Sequence, residues 1–126
     1  MQKTLTTAEV RQIGAQLVMN WEAGKNDIKL TGRALYNLIA LKKILENKLG
    51  VIEETLATIA LQHGGQQQED GSIMIPAETR AEANKALIEM GQETIEIDYN
   101  EIVIDDATML PIPIFEAIFD FVRFND

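Results

Sequence analysis

The chain has 126 residues, 46% of them hydrophobic and 25% charged, which favours one folded domain over residues 1–126 and excludes a disordered chain. No apolar run approaches the roughly 18 residues of a membrane-spanning helix, and the polar N-terminal segment is unlike a signal peptide. We therefore expect a cytoplasmic protein that does not cross a membrane. The sequence contains no cysteine, which excludes disulfides, thiol catalysis and cysteine-ligated metals.

The net charge of −9 is concentrated in the second half of the chain. Residues 1–63 carry 8 Lys/Arg and 6 Asp/Glu, whereas residues 64–126 carry 3 Lys/Arg and 14 Asp/Glu. An acidic half repels nucleic-acid phosphates, so we expect no direct nucleic-acid binding. The same charge either keeps the domain soluble or attracts basic protein surfaces and cations.

The first predicted helix spans about residues 7–22. Thr6 and Glu9 have the spacing of a capping box, and apolar residues recur behind them at helical intervals. Gly24 is predicted to end this helix, and residues 25–30 to form an extended connector. Trp21 and Tyr36 are interpreted as core or interface anchors.

A much longer helix is predicted from Thr31, its N-cap, to His63. It would be roughly 50 Å long at 1.5 Å per residue, which indicates packing along a rod. Apolar residues in steps of three and four form a heptad stripe, interrupted only by Lys42: Leu35, Leu38, Leu45, Leu49, Ile52, Leu56 and Ile59. Gly50 lies inside this helix and is expected to cause at most a bend.

A third helix is predicted over about residues 76–90, after Gly64-Gly65 and a polar loop. Pro76 suits its first turn, and Gly91 suits the position just past its end. The apolar period then changes to two, which predicts strands over 94–99 and 101–105. Pro111 and Pro113 open a last helix, which is filled by Ile114, Phe115, Ile118, Phe119 and Val122.

These elements predict an α+β, mainly α fold: a long antiparallel helical hairpin with flanking helices and a small β-element. The third helix is about half as long as the second, so either the first and last helices or a second copy covers the rest of the stripe. We expect a homo-oligomer, most simply a two-fold dimer. The candidate interaction residues are Leu45, Leu49, Ile52, Leu56 and Ile59.

Few residues are candidates for catalysis or metal binding. Glu96, Asp98, Asp105 and Asp106 supply carboxylates suited to Mg²⁺ or Mn²⁺, but strand alternation predicts that Glu96 and Asp98 face solvent. His63 is either a ligand or proton donor, or a helix-terminal side chain that interacts with the last carbonyls. We expect no enzymatic activity, no catalytic residues, no metal and no cofactor.

An alternative function is an oligomeric small-molecule binder that sequesters a host immune nucleotide. Its phosphates would contact Arg33, Lys42, Lys43 and Arg80, supplied by several subunits. The sequence lacks the glycine-rich phosphate-binding motifs. Lys42 is also explained as a residue that sets helix register or oligomeric state.

The order of motifs resembles a family of small uncharacterised proteins of tailed bacteriophages. The corresponding segments are Lys3–Glu9, Ala34-Leu35-Tyr36-Asn37 with Leu41-Lys42-Lys43, Gly64–Gly71, Glu93–Asp98 with Ile102-Val103-Ile104, and Ile114–Val122. The glutamine-rich turn and Pro111-Ile112-Pro113 depart from the family pattern. The resemblance implies a phage origin and carries over no functional residues. We therefore expect a non-enzymatic protein that binds a host or phage protein in the host cytoplasm, as a host-defence inhibitor or as an assembly or virion accessory.

Overall fold

The computed structural model describes residues 1–30, 32–105 and 109–124, so the predicted cap Thr31 and the carboxylate of Asp106 lie outside the described residues. Helices make up 62% of the structure, which confirms the α+β, mainly α fold class. The described helices are Thr7–Gly24 (α1), Gly32–Gln62 (α2), Arg80–Gln92 (α3) and Ile112–Ile118 (α4).

The strands of the described residues pair two by two. Gln2–Thr6 (β1) is antiparallel to Thr94–Asp98 (β4), and Gln66–Gln67 (β2) is antiparallel to Ile73–Met74 (β3). Ile102–Ile104 (β5) is parallel to Val122–Phe124 (β6). Because a two-stranded sheet is marginal in isolation, these pairs depend on packing against the helices.

The predicted capping box is present at the start of α1. The Glu9 N–H donates to the Thr6 hydroxyl at 3.1 Å, and the Thr6 N–H donates to the Glu9 carboxylate at 3.0 Å. These hydrogen bonds favour the ionised carboxylate and lower the pKa of Glu9. The Thr7 hydroxyl donates to the Glu93 carbonyl at 2.9 Å, which joins the start of α1 to the start of β4.

Helix α1 is the main partner of α2, packing along it more extensively than α3 does. The two helices are antiparallel, because Arg11 near the start of α1 contacts Glu53 at 2.8 Å and Trp21 near its end lies beside Lys42. At the centre, a Cβ on Gly14 would lie 3.5 Å from the Leu45 carbonyl oxygen. The long hairpin is therefore formed by α1 and α2, and α3 contacts the last turns of α2.

Helix α3 begins four residues later than predicted. Thr79 N–H donates to the Pro76 carbonyl in a turn, and the Thr79 hydroxyl donates to the His63 carbonyl at 2.5 Å, so Pro76 lies before the helix and not in its first turn. The helix also continues through Gly91 to Gln92. Gly91 therefore lies in the last turn of α3 and does not end it, and a Cβ at this position would meet the Ala8 side chain at an ordinary 3.7 Å.

The last helix is shorter than predicted. After α4, residues Phe119–Phe121 form a 3₁₀ turn and Val122 begins β6. Phe121 is buried and contacts the ring of Tyr99 edge-on at a centroid distance of 4.8 Å. This anchor turns the chain into the core and lets β6 hydrogen-bond to β5, which a continuous helix would prevent.

Candidate functional site

Helix α4 carries apolar side chains on two opposite sides. Ile114, Ala117 and Ile118 face inward and are buried in the core. The close approach of α4 to α1 depends on Gly24, where a Cβ would lie 2.9 Å from Pro111 Cγ. A globular helix usually buries one apolar stripe, so a second apolar side needs a separate explanation.

The outer side of α4 continues into an exposed aromatic cluster. Ile112 is 71% exposed, Phe119 54% and Phe124 56%. The half-buried Phe115 ring lies between the two phenylalanines, with centroids 5.6 Å from Phe119 and 6.2 Å from Phe124. We call Ile112, Phe115, Phe119 and Phe124 the C-terminal apolar surface. Burial of a phenylalanine side chain contributes roughly 1.5–3 kcal/mol, so covering this exposed surface with a partner would stabilise a complex.

The charges around this surface are acidic. Glu116 and Asp120 are exposed on the same α4 and 3₁₀ segment. Arg123 is the one Lys or Arg in the sequence from 109 to 124, and its guanidinium lies 3.5 Å from the Glu101 carboxylate. The cation is thus offset by a neighbouring carboxylate, and the apolar surface has a negative rim.

The predicted interaction residues on α2 lie mostly inside the chain. Leu45 and Ile52 are fully buried, so in this fold they are core residues and cannot contact a partner. Leu49, Leu56 and Ile59 are half-buried, because α1 and α3 cover this side of the helix. The first helix, and not a second copy, therefore covers most of the predicted stripe.

The C-terminal half of α2 has an open side. An open depression there is lined by both apolar and polar residues of this one helix: Val51, Glu54, Thr55, Thr58, Ile59 and Gln62. Its shallow shape and single-helix lining do not enclose a small molecule, since ligand pockets bury most of their ligand's surface.

The four cations of the alternative hypothesis do not converge within one chain. The Arg33 guanidinium lies over the exposed Tyr36 ring at 4.9 Å, and Lys42 is paired with Glu46 beside Trp21. Arg80 donates to the Ile75 carbonyl at the other end of α2, roughly 40 Å or more from Arg33 at 1.5 Å per residue. Lys43 is exposed on α2, ten residues after Arg33.

The acidic candidates for metal binding are exposed, and His63 interacts with the end of α2. Glu96 and Asp98 are exposed on β4, as alternation predicts, and Asp105 is exposed after β5. Within the described ranges, no three His, Asp or Glu side chains are grouped to hold a metal ion. The His63 Nδ1 lies 2.8 Å from the Ile59 carbonyl oxygen, which is the helix-terminal interaction expected of it.

The aromatic surface was missed as a site by sequence reasoning, which assigned the C-terminal apolar residues to helix packing alone. The signal was present: Ile112, Phe115 and Phe119 share one side of the predicted helix, whereas Ile114 and Ile118 share the other. No helix in the described part of the chain combines the length and apolarity needed to cross a bilayer. Comparisons of this chain with protein-family models, curated proteins and solved structures gave no match. The resemblance to phage proteins stays a prediction.

Proposed function

We propose that this chain is a non-enzymatic interaction protein that binds another protein through the C-terminal apolar surface. The observation that carries the proposal is the aromatic cluster, in which Phe119 and Phe124 are more than half exposed while both contact the Phe115 ring. Aromatic side chains are typical anchors of protein interfaces, because they bury a large area at a low cost in side-chain entropy.

The acidic residues beside the C-terminal apolar surface indicate the charge of the partner that it fits. An apolar centre next to Glu116 and Asp120 fits a segment with apolar side chains flanked by Lys or Arg. An acidic partner would meet like charges at the same edge. Rim charges act mainly on the association rate, so binding to such a partner should weaken as salt increases.

The biological setting rests on the resemblance to tailed-phage proteins. It supports a phage-encoded protein that acts in the host cytoplasm on a host or phage protein, as a defence inhibitor or as an assembly or virion accessory. We include in the proposal that the protein is a homodimer, because α2 extends beyond both α1 and α3 and presents an uncovered outer side.

The proposal is tested with a double variant, Phe119→Ser and Phe124→Ser, against a matched control, Met19→Ser. Met19 is 79% exposed on α1, so both variants remove exposed apolar side chains without opening the core. Immobilised wild-type protein and the control should retain the same proteins from bacterial host lysate in quantitative mass spectrometry. The double variant should lose at least nine-tenths of the specifically retained material while keeping its circular dichroism spectrum. Equal retention by all three proteins would contradict the proposal.

A further inference from the structure

The outer side of α2 carries a second heptad pattern that the fold leaves uncovered. One series consists of Tyr36, Lys43, Gly50 and Ala57, in steps of seven. A second series lies four residues further on: Ala40, Asn47, Glu54 and Leu61. On a helix these series form one seam, turned away from the buried Leu45. We call these residues the outer seam; two alanines are half-buried and its other members are exposed.

We infer that the outer seam packs against the outer seam of a second copy, antiparallel about a two-fold axis near Asn47 and Gly50. In this register Tyr36 faces Leu61 of the second copy, and Ala40 faces its Ala57. The apolar pairs therefore meet at both ends of a contact roughly 38 Å long. The inference gives the proposed homodimer its interface, and it is independent of the C-terminal apolar surface.

Charge complementarity selects the antiparallel direction. Lys43 faces Glu54 of the second copy, and the two-fold axis repeats this pair on the other side. Within the described residues neither side chain has an ion-pair partner, whereas Lys42 pairs with Glu46 and Arg11 with Glu53. A parallel pair of helices would instead place Lys43 against Lys43 and Glu54 against Glu54, and like charges oppose association.

Gly50 supplies an independent argument for a close external contact. Glycine inside a helix costs roughly 1 kcal/mol relative to alanine. Apart from its chain neighbours and the adjacent backbone of α2, no described heavy atom lies within 4 Å of the position that its Cβ would occupy, so packing within the chain does not require a glycine there. In the proposed register Gly50 faces Asn47 of the second copy, between the two Lys43–Glu54 pairs, where the missing side chain lets the two helices approach closely.

Because the sequence contains no cysteine, disulfide trapping can test the register directly. The double variant Tyr36→Cys with Leu61→Cys should form a covalent dimer on mild oxidation, since a disulfide requires Cα atoms within about 7 Å. The two positions lie roughly 38 Å apart on one helix, so they cannot link within a chain. Tyr36→Cys alone should not cross-link, and neither should Tyr36→Cys with Glu54→Cys, which matches a register shifted by one heptad. Cross-linking of the single variant would indicate a parallel pair and overturn the inference, as would no cross-linking of the Tyr36/Leu61 pair.

Charge reversal tests the same contact in solution by sedimentation equilibrium. The wild-type protein should form a reversible dimer of the 14.1 kDa chain. Lys43→Glu and Glu54→Lys should each raise the dimer dissociation constant at least tenfold, and the variant with both changes should return to within about threefold of wild type. Lys85→Glu, an exposed control on α3, should leave it unchanged. A wild-type monomer at tens of micromolar, or no rescue by the double change, would contradict the inference. Retention of host proteins by Lys43→Glu tests the proposed function separately.

Discussion

Gly24→Ala should disrupt the packing of α4 against α1 and destabilise the protein. Gly24 has φ −109° and ψ −13°, which alanine adopts without strain, so the effect comes from packing. The added Cβ would lie 2.9 Å from Pro111 Cγ, 3.3 Å from Pro111 Cβ and 3.0 Å from Ile114 Cδ1. The Ile114 methyl can rotate away, but the proline ring is rigid, so α4 has to move.

The size of the effect follows from two opposing terms. Overpacking in a core costs about 1–3 kcal/mol, and alanine gains at most about 1 kcal/mol over glycine in a helix. The free energy of unfolding should therefore fall by about 1–2 kcal/mol. Gly50→Ala is the matched control, because its Cβ enters open space, and in the Lys43→Glu background, where dimerisation is weakened, it should raise stability by about 0.5–1 kcal/mol.

Urea unfolding followed by circular dichroism measures both changes. The midpoints should move in opposite directions with unchanged slopes, which marks a change in stability rather than in the surface exposed on unfolding. If Gly24→Ala is at least as stable as wild type, α4 does not pack against α1 as described. The position of the C-terminal apolar surface would then need another explanation.

Three further predictions concern the cap, the core and the acidic strand. Thr6→Ala should lower the free energy of unfolding by about 1 kcal/mol in urea titrations, because it removes the hydroxyl that accepts the Glu9 N–H. The residue-6 backbone N–H lowers the pKa of Glu9 and is retained in the variant, so both proteins should lose stability as the pH falls below about 4.3 while the difference between them persists. Phe121→Ala should cost about 3–5 kcal/mol in the same assay, because this ring is 1% exposed. Glu96→Gln with Asp98→Asn should change the free energy of unfolding by less than about 0.5 kcal/mol and leave host-protein retention intact, because both carboxylates are exposed. Loss of retention with the fold preserved would show that the acidic strand is a binding surface.

Local patterns predicted the helices well where the signal lies within a few residues. The capping box at Thr6 and Glu9 and the period of α2 depend on neighbours three to seven positions away, and both are present in the structure. The solvent exposure of Glu96 and Asp98 followed from strand alternation. These features need no knowledge of distant parts of the chain.

Long-range pairing accounts for what the sequence did not predict. Strand β1 pairs with β4, more than 80 residues away, and Leu5 faces Ile95 in that register. Strand β6 forms because β5 offers a parallel edge, so Val122 leaves the predicted helix. The choice of α1 as the main partner of α2 also depends on tertiary packing, because several helices have apolar sides that could cover the same stripe.

The candidate site also combines features that local sequence patterns predict with features that depend on tertiary packing. The apolar residues of α4 were visible in the sequence, but their separation into a buried side with Ile114 and an exposed side with Phe119 depends on where α4 docks. The predicted interaction residue Leu45 is buried for the equivalent reason, since α1 covers it. A stripe of apolar residues predicts that a helix packs, and the tertiary structure decides against what.

Site-specific photo-cross-linking at the C-terminal apolar surface tests the central proposal most directly. A photoreactive phenylalanine analogue replaces Ile112, which is 71% exposed, or Met19 on α1 as the matched control. After irradiation in lysate of phage-infected host cells, we expect a discrete adduct with a host or phage protein from position 112 and none from position 19. That adduct should disappear when Phe119→Ser and Phe124→Ser are added. No adduct from position 112, or the same adducts from both positions, would contradict the account.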